Sequence, residues 1–346
     1  MLISNIHMTN KKHFSQIDFI RFICCLGIII YHFACHANSK IVSITTTVNS
    51  NIGSIIVTIF FIVSGFVLYH NNSEIKSLKV FYYKRFKSIF PSFYICWFIF
   101  YTINVIKVRN PFYAGSPLKF LLTLIGQDGY FIQRIINYYT VGEWFLGALI
   151  IVYLLYPLLL KGFNKNDKIT LLVLIVLTSL VIAFNIPVIS PGFPGICESC
   201  LKFYIGMMLC KYSGLMRNRY VIVVSVAFVL IYTLIRISVF NNLLDIVYSV
   251  TIYILLFDIS ELIKCKTINK SITDISKISY QIFLFQHMII QYTFQIYNPK
   301  NLFLSIIVLF ICMIVTIICA KVLYILVNRI YKTKLYVKLE NKILNC

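Results

Sequence analysis

Long apolar runs separated by short polar segments dominate the chain. Ten of these runs approach the roughly 20 residues that an α-helix needs to cross a bilayer. The sixth is the weakest, because it is short and contains Lys202 and Gly206. The pattern predicts an all-α polytopic membrane protein, a bundle of about ten transmembrane helices. The expected spans lie near residues 17–37, 52–70, 89–106, 141–160, 169–187, 199–212, 221–240, 243–263, 278–297 and 302–325.

Composition supports this fold class. Of 346 residues, 60% are hydrophobic and only 12% are charged, and the mean hydropathy is +0.85. A soluble domain of this size does not need so much apolar surface, whereas a membrane bundle does. We therefore expect residues 1–346 to form a single membrane domain in contact with lipids, with no appended soluble domain.

The chain has a net charge of +21, and its Lys and Arg residues are divided unequally between the two sides of the predicted membrane bundle. If both termini face the cytoplasm, 22 of the 32 Lys and Arg residues lie in cytoplasmic segments and six lie in outer loops. This is the positive-inside bias of membrane proteins, and it predicts both the orientation and an even number of spans. Because the cations lie in short loops, no nucleic-acid partner is predicted.

The first apolar run carries ionisable groups, which are costly inside a bilayer and usually functional. Arg21 and His32 are eleven residues apart, about three helical turns, so they share one face and are separated by about 16 Å along the axis. His32 is a candidate general base, because imidazole transfers protons near neutral pH. His36 follows one turn later, but no third metal ligand is near in sequence, so no metal is predicted.

Other polar groups stand in or beside later runs. Ser64 and Gly65 interrupt the second run and indicate either close helix packing or close approach to a ligand. Glu143 opens the fourth run beside Trp144, as a helix cap or as a carboxylate that binds the acceptor. The remaining candidates are a second imidazole and a tyrosine in the ninth run, His287 and Tyr280, and a basic cluster before the third run, Lys84, Arg85 and Lys87.

Five segments form an ordered series of motifs, namely Arg21 to His32, Phe60 to Phe66, Arg85 to Pro91, Trp144 to Pro157 and Ser279 to His287. Taken together, they resemble the integral-membrane acyltransferase family 3, which includes O-antigen and exopolysaccharide O-acetyltransferases. Ser88 stands where the family usually has a second Arg, and Leu149 and Ile150 stand where many relatives carry two glutamates. The second departure resembles the branch that acts on exopolysaccharide or lipid-linked sugars.

The resemblance implies transfer of an acetyl or other short acyl group from cytoplasmic acyl-CoA to a hydroxyl of a cell-surface or lipid-linked glycan. Acetyl-CoA would be a donor substrate, and no bound cofactor is expected. His32 would act as general base or carry the acyl group covalently. Ser64 and Tyr280 would position the thioester or its developing oxyanion, and Glu143 and His287 would contact the acceptor or serve packing. Trp144 would be a further substrate-binding residue. The phosphates of CoA would be held by Arg21, Lys84, Arg85 and Lys87. The expected location is the bacterial cytoplasmic membrane.

Two other classes of function stay open at this stage, a polysaccharide exporter and a non-catalytic subunit of a glycan assembly complex. The sequence contains no phosphate-binding P-loop and no zinc-protease motif H-E-x-x-H, which argues against an ATP-driven pump and a zinc protease. It also lacks the internal repeats that are common in secondary transporters.

Overall fold

The computed structural model describes residues 13–37, 49–184, 195–235 and 241–345, and within these ranges the chain is helical without β-strands. Short 3-10 turns at Pro117–Lys119 and Ser213–Arg217 connect some of the helices. The helices are α1 (Ser15–His36), α2 (Ile52–Asn71), α3 (Leu78–Val108), α4 (Phe120–Leu124), α5 (Asp128–Phe131), α6 (Glu143–Ala183), α7 (Ile196–Lys211), α8 (Arg219–Leu234), α9 (Asn241–Ser260), α10 (Lys266–Lys277), α11 (Ser279–Ile296), α12 (Leu302–Tyr331) and α13 (Lys334–Asn345).

Six helices in the described part of the chain are long and apolar enough to cross a membrane, namely α1, α2, α3, α6, α9 and α12. The predicted all-α membrane architecture is confirmed at this level, and the count of ten spans stays a prediction. Helix α6 contains the fourth and fifth predicted runs, and α8 is a shorter apolar helix. The predicted runs that end at 187 and 240 extend beyond the described residues.

A break divides α6 into two halves. Asn166 has extended rather than helical angles (φ −161°, ψ 102°), and its side-chain Oδ1 accepts a hydrogen bond from the amide of Ile169 at 3.0 Å. The next residue, Asp167, accepts from the ammonium of Lys211 at 2.6 Å and from the hydroxyl of Tyr212 at 2.7 Å. The end of α7 therefore holds the point at which the chain starts the second half of α6.

Helices α2 and α7 cross at a pair of glycines. A Cβ atom on Gly65 would lie 1.9 Å from the carbonyl oxygen of Phe203, and one on Gly206 would lie 2.0 Å from the carbonyl oxygen of Ile62. Since no side chain fits, the two backbones pack directly against each other. This close packing explains why glycine stands at position 206, where it weakened the sixth predicted run. It also shows that Gly65 serves helix packing.

Helix α1 packs against α2, α9, α10, α11 and α12 and thus lies inside the bundle. Near its start, the buried carboxylate of Asp18 accepts hydrogen bonds from Thr273 at 2.9 Å and Ser276 at 2.8 Å, both on α10. One end of α1 is therefore fixed by polar contacts, and His32 lies one turn before its other end.

Helix α13 returns to the basic start of α3. The Lys87 ammonium forms an ion pair with Glu340 at 2.7 Å, and the hydroxyls of Tyr83 and Tyr336 are 3.2 Å apart. Helix α3 itself continues through Pro91, so the basic cluster is the first part of a 31-residue helix.

Candidate active site

Two imidazoles and one carboxylate meet where α1, α6 and α11 converge. The Oε1 atom of Glu143 is 3.3 Å from Nε2 of His32 and 3.0 Å from Nδ1 of His287. The two imidazole rings lie with centroids 4.8 Å apart. A third group, the side-chain amide of Gln286, donates to the same Oε1 at 3.1 Å. The carboxylate thus orients two rings that come from opposite ends of the sequence.

The backbone at Glu143 has an unusual conformation. Its φ of +43° lies in the left-handed region, which costs a non-glycine residue about 1–3 kcal/mol and is found most often at functional sites. The preceding Gly142 has φ +92°, and its lack of a side chain leaves room for Leu146 and Phe93. This turn presents the carboxylate of Glu143 at the start of α6.

Helix α5 supports this turn from the side. A Cβ atom on Gly129 would lie 2.5 Å from the carbonyl carbon and oxygen of Glu143, so only glycine allows the approach. The neighbouring Asp128 is buried, and its carboxylate accepts from the amide of Gly129 at 3.0 Å. Burial raises the pKa of Asp128 to about 7.

A cavity of about 1060 Å³ opens beside the imidazoles. It lies at the end of the bundle where α2, α6, α7 and α9 begin, which the distribution of Lys and Arg predicts to face outside. Its size is at the upper end of ordinary ligand pockets, so it has room for more than a reacting hydroxyl. The functional candidates that line it are His32, Glu143, Trp144 and His287.

The other predicted site residues lie outside this cavity lining. Ser64 precedes the glycine that packs against α7, and the hydroxyl of Tyr280 donates to the carbonyl oxygen of Ile89 at 3.2 Å. Arg21 is half-buried. The three residues of the basic cluster, Lys84, Arg85 and Lys87, lie near the start of α3. The structure therefore brings together the histidines, Glu143 and Trp144, and the predicted donor contacts stay predictions.

Arg85 and Lys87 differ in their surroundings. The Arg85 guanidinium lies 5.9 Å from the ring centroid of Tyr153, and its Nε atom is buried with no hydrogen-bond partner among the described residues. The Lys87 ammonium is paired with Glu340 and lies 4.9 Å from the ring centroid of Tyr331. Arg85 therefore keeps a buried donor without a partner among the described residues, whereas a phosphate at Lys87 would compete with Glu340.

The cluster of His32, Glu143 and His287 could also hold a divalent ion. One ligand atom from each residue lies within 4.8 Å of the others, and two imidazoles with one carboxylate are a common catalytic zinc set. The sequence prediction of no metal rested on the absence of a third ligand near His32 and His36. The structure supplies Glu143 and His287 from helices that are remote in sequence.

Sequence reasoning missed several residues of this region. Gln286 was not considered, although it stands next to a predicted site histidine. Lys202 was noted only as an interruption of an apolar run, yet it forms a buried ion pair with Glu198 at 2.7 Å, and both residues line the cavity. The available signal was the charge itself, because an ionisable residue in an apolar run is costly. Asp245 also lines the cavity and offered the same signal.

A family model described as an acyltransferase domain matches residues 14–325, which is most of the chain. The chain therefore belongs to acyltransferase family 3, and the protein is a multi-pass membrane acyltransferase. No curated protein matches the chain. No solved structure matches it either.

Proposed function

We propose that this protein is an O-acetyltransferase of the bacterial cytoplasmic membrane. It moves acetyl, or another short acyl group, from cytoplasmic acyl-CoA to a hydroxyl of a cell-surface or lipid-linked glycan. The observation that carries the proposal is the pair of imidazoles held by one carboxylate at the wall of an open cavity. Such a group can take a proton from an alcohol and return it to a leaving group.

The reaction follows from the contacts of His32. With the ring proton of His32 on Nε2, which lies 3.3 Å from the Glu143 carboxylate, Nδ1 carries the lone pair that accepts the proton of the acceptor hydroxyl. The acceptor oxygen attacks the thioester carbonyl, the C–O bond forms, and the C–S bond breaks as the tetrahedral intermediate collapses. The imidazolium then gives its proton to the departing CoA thiolate. Glu143 stabilises the imidazolium, as the carboxylate of a catalytic triad does.

The donor would enter from the opposite end of the bundle. Its phosphates would bind the basic start of α3, where the Arg85 Nε atom is without a partner among the described residues. Guanidinium groups suit phosphate because their donors match its oxygens. Arg21 lies between the two regions on the helix that carries His32, about 16 Å from it along the axis. The pantetheine arm would carry the thioester past this residue.

The test is mass spectrometry of envelope glycans from cells that express the wild-type chain, His32→Ala or His70→Ala at matched membrane levels. His70 is a matched control, because it lies at the end of α2 remote from the cavity. We expect a base-labile ester on the glycan with the wild type and His70→Ala and its loss with His32→Ala. Equal ester content in all three strains would refute the role of His32. Loss of surface glycan without any change in esterification would favour an exporter.

Treatment with a chelator distinguishes metal-free proton transfer from metal-dependent catalysis at His32, Glu143 and His287. We expect transfer from acetyl-CoA by the purified protein in liposomes to continue after treatment with EDTA, because imidazole and carboxylate suffice for proton transfer. Loss of transfer with EDTA and its recovery with Zn²⁺ would instead assign a metal to His32, Glu143 and His287.

A further inference from the structure

The wall of the cavity carries a second set of charged side chains. Glu198 and Lys202 lie one turn apart on α7 and form an ion pair of 2.7 Å. Asp245 on α9 lies close enough to interact electrostatically with both of them. All three line the cavity, and none is hydrogen-bonded to His32, Glu143 or His287 within the described residues. We call Glu198, Lys202 and Asp245 the polar cluster.

We propose that the polar cluster is an acceptor subsite that binds the hydroxyl groups of an uncharged saccharide while its reacting hydroxyl lies at His32. This inference rests on the proposed function and extends it, because it names the chemical class of the acceptor and the residues that select it.

Burial is the first argument. Lys202 is only 3% exposed, and the side chain of its partner Glu198 is 16% exposed. Removing an ammonium and a carboxylate from water costs several kcal/mol per ion before their attraction repays it. A buried ion pair of this kind is often no more stable than apolar residues of the same volume. Stability alone therefore does not account for the pair, which is consistent with a role in ligand binding.

Unused hydrogen-bonding capacity is the second argument. The Oδ1 atom of Asp245 accepts from the hydroxyl of Tyr232 at 2.7 Å, and Ser50 also donates to this carboxylate, but a carboxylate offers about four acceptor positions. Thr178, in the second half of α6, also lines the cavity, and its buried hydroxyl has no partner among the described residues. Saccharide hydroxyls both donate and accept, so they can satisfy a carboxylate and a threonine hydroxyl together.

Charge is the third argument, and it selects the class of saccharide. The carboxylates in the lining are Glu143, Glu198 and Asp245, and the basic side chains other than histidine are Lys202 and Arg134. With neutral imidazoles, the described lining has one more negative than positive charge. Such a wall repels anionic groups and favours neutral donors of hydrogen bonds.

The test compares two acceptors in liposomes that contain the full chain, with acetyl-CoA as donor. Glycerol is the minimal alcohol, and the saccharide is the neutral, de-esterified oligosaccharide from the host envelope glycan. We expect Glu198→Gln and Asp245→Asn each to lower the ratio of kcat/KM for oligosaccharide over glycerol by tenfold or more. Lys211→Met removes the other ion pair of α7, outside the cavity, and should keep the wild-type ratio.

The double variant Glu198→Lys/Lys202→Glu tests for a purely structural effect, because it keeps an ion pair on α7 but exchanges the positions of the carboxylate and the ammonium. We expect its ratio to fall as well. A wild-type ratio in this variant, or in both Glu198→Gln and Asp245→Asn, would overturn the subsite. Preference of the wild type for an anionic oligosaccharide over the neutral one would overturn the charge argument.

Binding measured without transfer separates this inference from the proposed function. Trp144 lines the cavity, so a Trp97→Phe protein leaves it as the single tryptophan reporter of the chain. We expect the neutral oligosaccharide to change its fluorescence, and Glu198→Gln to weaken that binding. Binding without any transfer would refute the proposed function and keep the subsite. Absence of both binding and transfer would refute the subsite as well as the proposed function.

Discussion

The Oε1 atom of Glu143 receives contacts from His32, Gln286 and His287, which belong to two helices. Its backbone is held in a left-handed conformation by the turn at Gly142 and by the close approach of Gly129. A strained residue with this many polar contacts is difficult to replace, because both its charge and its position depend on the surrounding backbone.

We predict that Glu143→Gln lowers the rate of acyl transfer by about 10²-fold or more, the range of general acid–base catalysis. The amide keeps the shape of the side chain but cannot stabilise an imidazolium. The measurement is kcat with acetyl-CoA and glycan acceptor at matched protein levels. A KM change with kcat intact would place Glu143 in acceptor binding instead.

Asp128 gives a prediction about pH. Its unfolded pKa is near 3.8, and burial raises the folded pKa to about 7. Between these values the folded state holds the proton more tightly than the unfolded state, so this group makes stability fall as pH rises from about 4 to 7. Asp128→Asn should flatten that slope in unfolding experiments in detergent. An unchanged slope would show that Asp128 does not titrate in this window.

Individual candidate residues of the site could be named from the sequence, but which of them meet in space could not. His32 was singled out because ionisable groups are rare in apolar runs. Arg21 was singled out for the same reason, but it lies outside the cavity lining and its role stays a prediction. Glu143 and His287 were also named, but 111 and 255 positions separate them from His32, and only tertiary packing brings the three together. Gly129 gave no signal at all, because its importance lies in the space that it leaves for the backbone of Glu143.

Among the elements, α2 and α7 form the closest backbone contact described above. We predict that Gly206→Ala lowers the free energy of unfolding by about 3 kcal/mol or more, since overpacking against side chains alone typically costs 1–3 kcal/mol and here the added Cβ meets a backbone carbonyl. Gly27→Ala is the matched control, because its Cβ would meet only the end of the Ile56 side chain, which can rotate. Unfolding in detergent measures both. Equal stability of the two variants would contradict the prediction.

The apolar runs predicted the ends of helices correctly where charged residues and helix breaks separate one run from the next. The break in α6 falls between the fourth and fifth predicted runs, where the sequence is rich in Asn and Lys. Helix α11 was predicted as a span from its run, but it carries four glutamines and a histidine and is not among the six apolar helices. A helix buried inside the bundle tolerates such polarity because protein groups, rather than lipid, surround it.

At the scale of the whole molecule, the orientation in the membrane is the prediction that composition makes most directly. Cys35, near the end of α1, and Cys265, before α10, are the two exposed cysteines in the described part of the chain. We predict that a membrane-impermeant maleimide added to intact spheroplasts labels Cys35 and that Cys265 reacts only after permeabilisation. Peptide mass spectrometry reads both sites in one sample. The reverse pattern would invert the topology.

The position of the cavity has a pharmacological consequence. Its lining includes the first turns of α2, α6, α7 and α9, which the predicted topology places at the outer surface. In this predicted orientation, a blocker directed at the two imidazoles would reach its target without crossing the membrane that holds the protein, so poor permeability of that membrane would not protect the cell. Polar compounds that are usually discarded for lack of uptake become suitable starting points for inhibitors.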